Sequence, residues 1–208
     1  MTTRRNEGRL PRSFFVTDAA TLARRLLGQR LVSRIGGTRT SGIIVETEAY
    51  LGPEDRAAHS FGGRRTPANE SMWGGGGQAY VYFVYGMHHC VNVVAARAGN
   101  PAAVLVRALH PEDGLDAMLA RRGSAPRETS LCSGPAKLCE ALGITRAHDG
   151  EDLAEGRLLF LERVRSRALP RSSIAVGPRI GIDYAGDWRD AQLRFAVRDS
   201  PHLSRPAP

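Results

Sequence analysis

The fold is decided by two segments: residues 42–50, which read GIIVETEAY, and residues 80–94, which read YVYFVYGMHHCVNVV. The first starts with a β-branched run, which predicts a strand, and ends in two carboxylates and an aromatic ring: Glu46, Glu48 and Tyr50. The second alternates on both sides of residues 85–88, which predicts a β-hairpin with those residues at its tip. A carboxylate on a rigid strand end, near aromatics and arginines, indicates acid–base chemistry on a flat, anionic molecule.

Outside these two segments the chain adds strands and helices in irregular order. Helices are predicted to start after a cap at Thr17 or Asp18, at Pro111 and at Pro135. Residues 31–35 are predicted to pair with residues 43–47, and further strands are expected at 103–109, 158–161, 174–176 and 193–197. Because helices interrupt the strands irregularly and no internal repeat occurs, the pattern favours an α+β fold over a parallel α/β sheet.

The chain ends and the glycine-rich segment are predicted to be connecting or flexible parts. We expect a basic flexible tail at residues 1–12, one folded domain at residues 13–203 and a flexible C-terminus at residues 204–208. Residues 74–77 are four consecutive glycines. No Gly-Lys-Ser/Thr follows them, so they predict a flexible link and not a phosphate-binding loop.

The composition indicates a globular protein with an excess of positive charge. The 208 residues carry a net charge of +8, and the pI of about 10.2 favours a polyanionic partner. Only one of the 29 basic residues is a lysine, however, so a bias in base composition would explain the arginine excess without selection for binding. Three cysteines, an odd number, indicate a reducing compartment. No apolar run is long enough to span a membrane, so we expect a cytoplasmic protein without a membrane partner.

Two carboxylates are candidates for the catalytic group. Glu46 and Glu48 are two residues apart on a predicted strand, so both point to the same face of the sheet. Alternating glutamates usually form a solvated face, but the apolar flank and the loop that follows favour a strand end that opens into a cleft. The residues themselves leave open which of the two carboxylates is catalytic.

Aromatic residues near this strand end could form a slot for a planar ring. The candidates are His59, Tyr50 and the tyrosines of the hairpin, although Tyr80 and Tyr82 fit a sheet core equally well. Tyr85 differs because it precedes Gly86 at the predicted tip. An exposed ring there, flanked by Met87, is suited to wedge between bases from the minor groove.

The single lysine and the histidine pair suggest no covalent or metal chemistry. Lys137 is the one lysine that could form a Schiff base, but its place at a helix start favours a position near a phosphate. His88 and His89 are adjacent on a strand and therefore point to opposite faces, so we expect no shared metal ion.

Several long motifs of the chain form a recognisable set. They are residues 45–55, 57–60, 80–82, 85–87, 107–109, 131–135, 137–139 and 179–181, Cys90 with Asn92, Ala185 and Gly186 with Trp188, and residues 193–195. From about Phe14 to about Pro201 the chain thereby closely resembles the alkyladenine DNA glycosylase family, also called the 3-methyladenine DNA glycosylases of the mammalian methylpurine type. The resemblance implies a single mixed domain with a curved, largely antiparallel β-sheet core, peripheral helices and a protruding β-hairpin.

The resemblance also implies roles for individual residues. Glu48 is expected to be the general base, and Arg107 and the backbone carbonyl of Ile180 are expected to hold the attacking water. The expected base-binding residues are Tyr50, His59, Tyr82 and Asn92, with the Asn92 amide opposing the 2-amino group of guanine. Tyr85 is expected to fill the gap in the base stack. The expected DNA contacts are Tyr85, Met87, Arg64, Arg65 and Lys137.

The activity implied by the resemblance is hydrolysis of N-glycosidic bonds in damaged duplex DNA. The partner would be double-stranded DNA with alkylated purines, and deaminated purines are further candidates. The enzyme would act as a monomer without a metal or organic cofactor, in the cytoplasm or, in a prokaryote, at the nucleoid. Two alternatives stay open: a damage-binding protein without catalysis, and a hydrolase of free nucleosides or small glycosides.

Overall fold

The central strand of the fold is β2 (Thr40–Tyr50), which pairs antiparallel with three other strands. It pairs with β1 (Arg30–Ser33) at its start and with β5 (Ala103–Pro111) along most of its length. At residues 46–48 its other edge pairs with β8 (Arg194–Val197). The register between β2 and β5 shifts on both sides of Glu46, which marks a β-bulge. On the opposite edge of β2, the pairing with β1 ends before this position and the pairing with β8 begins at it. The computed structural model describes residues 8–84, 86–123 and 127–208.

The described strands form one sheet of eight, and every pair in it is antiparallel. The predicted hairpin is present as β3 (Ala79–Val84) and β4 (His88–Val94). The sheet order is β3–β4–β5–β2–β1–β6, with β6 at Leu159–Glu162, and β8 joins β2 to β7 (Ile174–Gly177). The curled, half-barrel form of this sheet and the few helices confirm the predicted α+β class.

Four short α-helices of the described residues pack around the sheet. They are α1 (Ala19–Leu26), α2 (Leu115–Arg122), α3 (Glu128–Leu131) and α4 (Pro135–Leu142). Asp18 caps α1 as predicted, because its side chain accepts the N–H of Thr21 at 2.8 Å. Turns of 3₁₀ helix lie at Arg12–Phe14, Ile35–Gly37, Phe61–Gly63, Glu70–Trp73, Arg146–His148, Arg171–Ser173 and Asp183–Asp190. In the part of the chain that is described, no helix is long and apolar enough to cross a membrane.

The predicted helix start at Pro111 is wrong. Pro111 is the last residue of β5 and pairs with Gly42, and α2 begins only at Leu115. Proline lacks the N–H of a ladder hydrogen bond, but a strand end tolerates it as readily as a helix start does. The local pattern therefore could not separate the two positions.

Helix α1 covers one face of β2 and thereby directs the glutamates to the other face. The hydroxyl of Thr47 donates to the backbone carbonyl of Ala23 in α1 at 3.1 Å. Because side chains alternate along a strand, Glu46 and Glu48 point away from this helix. The apolar core lies between α1 and the sheet, where Leu22, Leu26 and Phe195 are fully or almost fully buried.

The described chain ends are packed against the sheet. Leu10 is only 1% exposed, and its N–H donates to the carbonyl of Leu161 at 3.1 Å. At the other end the carbonyls of Arg205 and Pro206 both accept from Arg194 at 3.0 Å. Residues beyond the boundaries predicted at residues 12 and 204 therefore still contact the folded domain. Residues 1–7 of the predicted tail lie outside the described residues.

Candidate active site

Glu48 lies near the end of β2 with a completely buried side chain. Its Oε1 accepts the backbone N–H of Ile180 at 2.8 Å, and its Oε2 accepts the hydroxyl of Tyr50 at 3.0 Å. Nη1 of Arg107 lies 3.2 Å from Oε2 and compensates the negative charge. A carboxylate has lone pairs for about four hydrogen bonds, so Glu48 retains the capacity to accept a further donor.

Glu46 is equally buried, but its oxygen atoms are occupied by protein donors. Oε1 accepts from Nε of Arg107 at 3.1 Å, from Nε of Arg194 at 2.9 Å and from the hydroxyl of Ser204 at 2.8 Å. Oε2 accepts the N–H of Ser204 at 2.6 Å. This carboxylate therefore has four protein hydrogen bonds, whereas Glu48 has three polar contacts and room for one more.

Arg107 on β5 connects the two carboxylates. Its Nε and Nη2 contact Ser204, each at 3.2 Å, on the side of Glu46, and its Nη1 faces Glu48. Desolvation by burial opposes the charged guanidinium, but the charges of Glu48 and Glu46 outweigh it and raise the pKa of Arg107 above its ordinary value. The side chain therefore stays charged between the two glutamates.

A cavity of about 390 Å³ opens beside these groups, a size typical of small-molecule sites. Glu48 does not itself line the cavity, but three residues that contact it do: Tyr50, Arg107 and Ile180. The carboxylate thus lies directly behind the cavity wall. The lining also contains the remaining residues predicted to bind the base, His59, Tyr82 and Asn92.

One wall of the cavity is a cluster of three rings. His59 Nδ1 lies 2.6 Å from the hydroxyl of Tyr80, and the His59 ring meets Tyr82 edge-on at 4.6 Å. The rings of Tyr80 and Tyr82 stack at 5.4 Å. Tyr80 is almost fully buried yet lines the cavity, so it belongs to the core and to the site at once.

Ionisation of the cavity rings is suppressed by their surroundings. Desolvation lowers the pKa of His59, and the positive charge of Arg64 lowers it further, so the ring is neutral at pH 7. Burial and then the negative charge of Glu48 raise the pKa of Tyr50 well above its ordinary value. The Tyr50 phenol therefore keeps its proton and donates it in the hydrogen bond to Glu48.

Asn92 reaches the cavity from β4. Its side chain is 4% exposed, and its Nδ2 donates to the backbone carbonyl of Tyr80 at 3.0 Å. This bond fixes the orientation of the amide. The structure therefore places Asn92 in the cavity lining, while its predicted selection against guanine stays a prediction.

A buried ion pair that sequence reasoning did not assign holds the loop after β2. Asp55 accepts the backbone N–H groups of Leu51 and Ala57, each at 3.0 Å, and its carboxylate pairs with Arg179, with one contact at 2.8 Å. Arg179 immediately precedes Ile180, and its guanidinium lies 4.7 Å from the ring centre of Tyr50. The pair therefore positions two of the groups that contact Glu48.

The two arginines predicted to contact DNA differ in their surroundings. Arg65 is paired with Glu70 and lies 5.1 Å from the ring centre of Trp73. Arg64 has no ion-pair partner among the described residues, and it lines a second cavity of about 420 Å³ that shares His59 with the first. Arg64 is thus the more available of the two for a phosphate.

Of the other predicted DNA contacts, Met87 and Lys137 belong to the described residues, and neither lines the cavity. Met87 is 68% exposed in the hairpin turn, and Tyr85 lies outside the described residues. Lys137 lies in the first turn of α4, with its Nζ 3.4 Å from the hydroxyl of Ser133. Pro135, at the start of the same helix, lines the cavity.

Three further site residues were missed from the sequence. Tyr184 lines the cavity and is 69% exposed, although it lies far from the other tyrosines in the chain. Arg194 and Ser204 bind Glu46 from β8 and from the C-terminal segment. No group of three or more His, Cys, Asp and Glu side chains suited to hold a metal ion occurs within residues 8–84, 86–123 and 127–208.

The site thus consists of a completely buried carboxylate near the end of the central strand and an aromatic cavity beside it, on a curved α+β sheet. The methylpurine-DNA glycosylase family matches residues 13–201. The chain therefore belongs to this family, and the resemblance read from the sequence is confirmed.

Individual relatives agree with this assignment. The DNA-3-methyladenine glycosylase of Mus musculus is 47% identical over 208 residues, which cover 96% of this chain and 62% of the mouse protein. The protein of that name from Homo sapiens is 47% identical over 94% of this chain and 68% of its own length. A Desulfitobacterium hafniense (strain Y51) relative, whose name also refers to 3-methyladenine DNA glycosylase, is 45% identical over 94% of this chain and 98% of its own.

Proposed function

We propose that the protein is a monomeric, monofunctional glycosylase that releases alkylated purines, and deaminated purines as a second group, from double-stranded DNA. The observation that carries this proposal is the Glu48 carboxylate, held by three neighbours directly behind the aromatic cavity. The names of the relatives from mouse and human support 3-methyladenine as one of the released bases.

The proposed reaction is hydrolysis with Glu48 as general base. Glu48 accepts a proton from a water molecule, whose oxygen bonds to C1′ of the nucleotide while the bond from C1′ to the purine nitrogen breaks. The bonding electrons leave with the purine: they neutralise a purine that alkylation has made cationic, and a neutral deaminated purine takes up a proton from solvent as it leaves. Arg107 and the Ile180 backbone border the cavity next to Glu48, which supports their role in holding the water.

The cavity chemistry supports an extruded purine as the substrate. Glu48 is completely buried, so it can reach a sugar carbon only if the nucleotide leaves the base stack and enters the protein. The faces of Tyr50 and Tyr82 attract a cationic purine through their ring electrons. A neutral His59 adds no repulsion against that cation. Damaged bases are also the easiest to unstack, which adds to the selectivity.

The position of the only lysine supports a monofunctional enzyme. Lys137 contacts Ser133 and is not among the cavity residues, so it is not placed to attack the sugar as a Schiff-base lyase would require. We propose instead that Lys137, Arg64 and Met87 face the DNA around the cavity, with Tyr85 as the wedge that fills the vacated position.

The test is base release from a duplex that carries one 3-methyladenine. The wild type should release the free base, and Glu48→Gln should lower the single-turnover rate about 10²- to 10⁴-fold while binding the lesion duplex as tightly as before. A near wild-type rate in Glu48→Gln contradicts the mechanism. Lesion binding without release by the wild type indicates a damage-binding protein, and equally fast cleavage of free 3-methyladenosine indicates a nucleoside hydrolase.

A further inference from the structure

A strongly basic cavity lies at the end of α1. Its volume is about 220 Å³, and four of its eight lining residues are arginines: Arg25, Arg163, Arg165 and Arg167. Among the described residues no carboxylate lines it. The three arginines of the segment 163–168 are exposed, so their guanidinium groups are open to a ligand in solution.

The backbone of this segment is held by a buried side chain. Gln29 is 2% exposed, and its Oε1 accepts the N–H groups of Val164 at 2.9 Å and Arg165 at 3.4 Å. Its Nε2 donates to the carbonyl of Arg165 at 3.2 Å. The arginines are therefore presented from a fixed turn, so less order has to be imposed on them when a ligand binds.

The charge of this cavity is not compensated by the protein. Within the described residues none of its four arginines forms an ion pair, and Arg25 instead lies 4.2 Å from the ring centre of Phe14. Nearby arginines behave differently, since Arg30 and Arg39 both pair with Glu162. Clustered like charges without counter-charges create a positive potential that attracts an anion.

The basic cavity and the active site lie on different sides of the sheet. Arg25 belongs to α1, which packs on the face of β2 that carries Thr47. Glu48 points from β2 to the opposite face, towards the aromatic cavity. A straight duplex that covers one of these faces therefore does not cover the other.

We propose that the α1 cavity is a second nucleic-acid site that binds the phosphodiester groups of a separate duplex DNA segment. Arginine suits this ligand because its planar fork forms paired hydrogen bonds to phosphate oxygens. The cavity offers no aromatic slot for a base beyond Phe14, which Arg25 already covers. Binding there is independent of sequence and of damage, and it lets one protein molecule hold two duplexes.

The experiment measures whether the protein brings two undamaged duplexes together. One duplex carries a donor dye and the other an acceptor, and energy transfer is followed against protein and salt concentration. The test variant is Arg165→Ala with Arg167→Ala. The matched control is Arg97→Ala with Arg157→Ala, because these arginines are also exposed and form no ion pair in the described part of the chain. Thermal unfolding and lesion-base release are recorded for every variant.

The wild type and the control should join the duplexes, and the test variant should lose about tenfold or more in affinity for the second duplex. The slope of log affinity against log salt should fall by about 2, since each lost phosphate contact contributes about 0.9. Base release should not change, so failure here is distinguishable from failure of the proposed activity. Equal behaviour of both variants, or no joining by the wild type, overturns the proposal. Stabilisation of the wild type by inorganic phosphate without joining also overturns it, in favour of a free-phosphate site.

Discussion

The surroundings of Glu46 and Glu48 differ although the two side chains are equally buried, lie two residues apart and share Arg107. Glu46 is enclosed by β8 and the C-terminal segment and accepts four protein hydrogen bonds, whereas Glu48 has three polar contacts. Glu48 lies behind a cavity wall that three of its own partners form. Two identical side chains thus differ in their surroundings: Glu46 fixes two arginines, and Glu48 is the proposed base for a water molecule.

The difference follows from the side chains and segments that contact each carboxylate. Strand β8 pairs with β2 at residues 46–48 and places Arg194 against Glu46. Arg194 also donates to the backbone carbonyls of Arg205 and Pro206 and so holds the C-terminal segment beside Glu46. At the end of the strand Asp55 pairs with Arg179, and the next residue, Ile180, contacts Glu48 and lines the cavity. The comparison predicts that Glu46 matters most for stability and Glu48 most for chemistry.

The largest effect on stability is expected for Glu46→Gln. This change leaves Arg194 without a carboxylate partner, whereas Glu48→Gln leaves Arg107 still paired with Glu46. Removing one partner of a buried ion pair destabilises by about 3 kcal/mol or more. Denaturant unfolding should therefore show a clearly greater loss for Glu46→Gln than for Glu48→Gln. A greater loss of stability for Glu48→Gln than for Glu46→Gln would contradict the structural role assigned to Glu46.

A smaller effect is expected for Ser204→Ala. The hydroxyl of Ser204 donates to Glu46 and lies 3.2 Å from Nε of Arg107, but the backbone N–H that also binds Glu46 is retained. Loss of one such hydrogen bond lowers the free energy of unfolding by about 1–2 kcal/mol. Denaturant unfolding measures this change, and base release should stay close to the wild-type rate. A large loss of activity at unchanged stability would place Ser204 in the chemistry.

The smallest effect concerns pH and lies on the Glu48 side. The pKa of His59 in the folded protein lies below its ordinary value of about 6.5, which applies to the unfolded chain. At pH values below about 6.5 the unfolded chain therefore binds a proton at His59 more readily than the folded protein does. Stability is thus retained above about pH 6.5 and decreases as the pH falls below it. Unfolding measured at pH 7.5 and 5.5 should show a smaller difference for His59→Gln than for the wild type. An equal difference would assign the pH dependence to other groups, such as His89 and His202, whose pKa values are also lowered.

The sequence was sufficient for the elements that local patterns define. The alternation in residues 80–94 predicted the β3–β4 hairpin, and the β-branched run before Glu46 predicted the middle of β2. Predictions failed where a residue suits two positions, as Pro111 does at a strand end. The sequence pattern also could not distinguish Glu46 from Glu48, because strand alternation places both side chains on one face of the sheet and does not predict which residues cover them.

The site residues that could not be predicted from the sequence make contacts between distant parts of the chain. Asp55 and Arg179 are 124 residues apart, and Glu46 and Ser204 are 158 residues apart. The local sequence pattern cannot predict contacts over such distances. Tyr184 lies in a 3₁₀ turn, where the sequence shows no helix or strand periodicity. The family resemblance indicated Glu48, and the hydrogen bonds of the folded chain supply a physical reason for that choice.

The most direct test of the division between the two carboxylates compares their glutamine variants on one substrate. Single-turnover release of 3-methyladenine is measured with enzyme in excess over the lesion duplex, at a temperature where both variants are folded. The rate of Glu48→Gln should lie about 10²-fold or more below that of Glu46→Gln, since in the proposed mechanism only Glu48 removes a proton from water. Equal rates, or a slower Glu46→Gln, would contradict the assignment of Glu48 as the base.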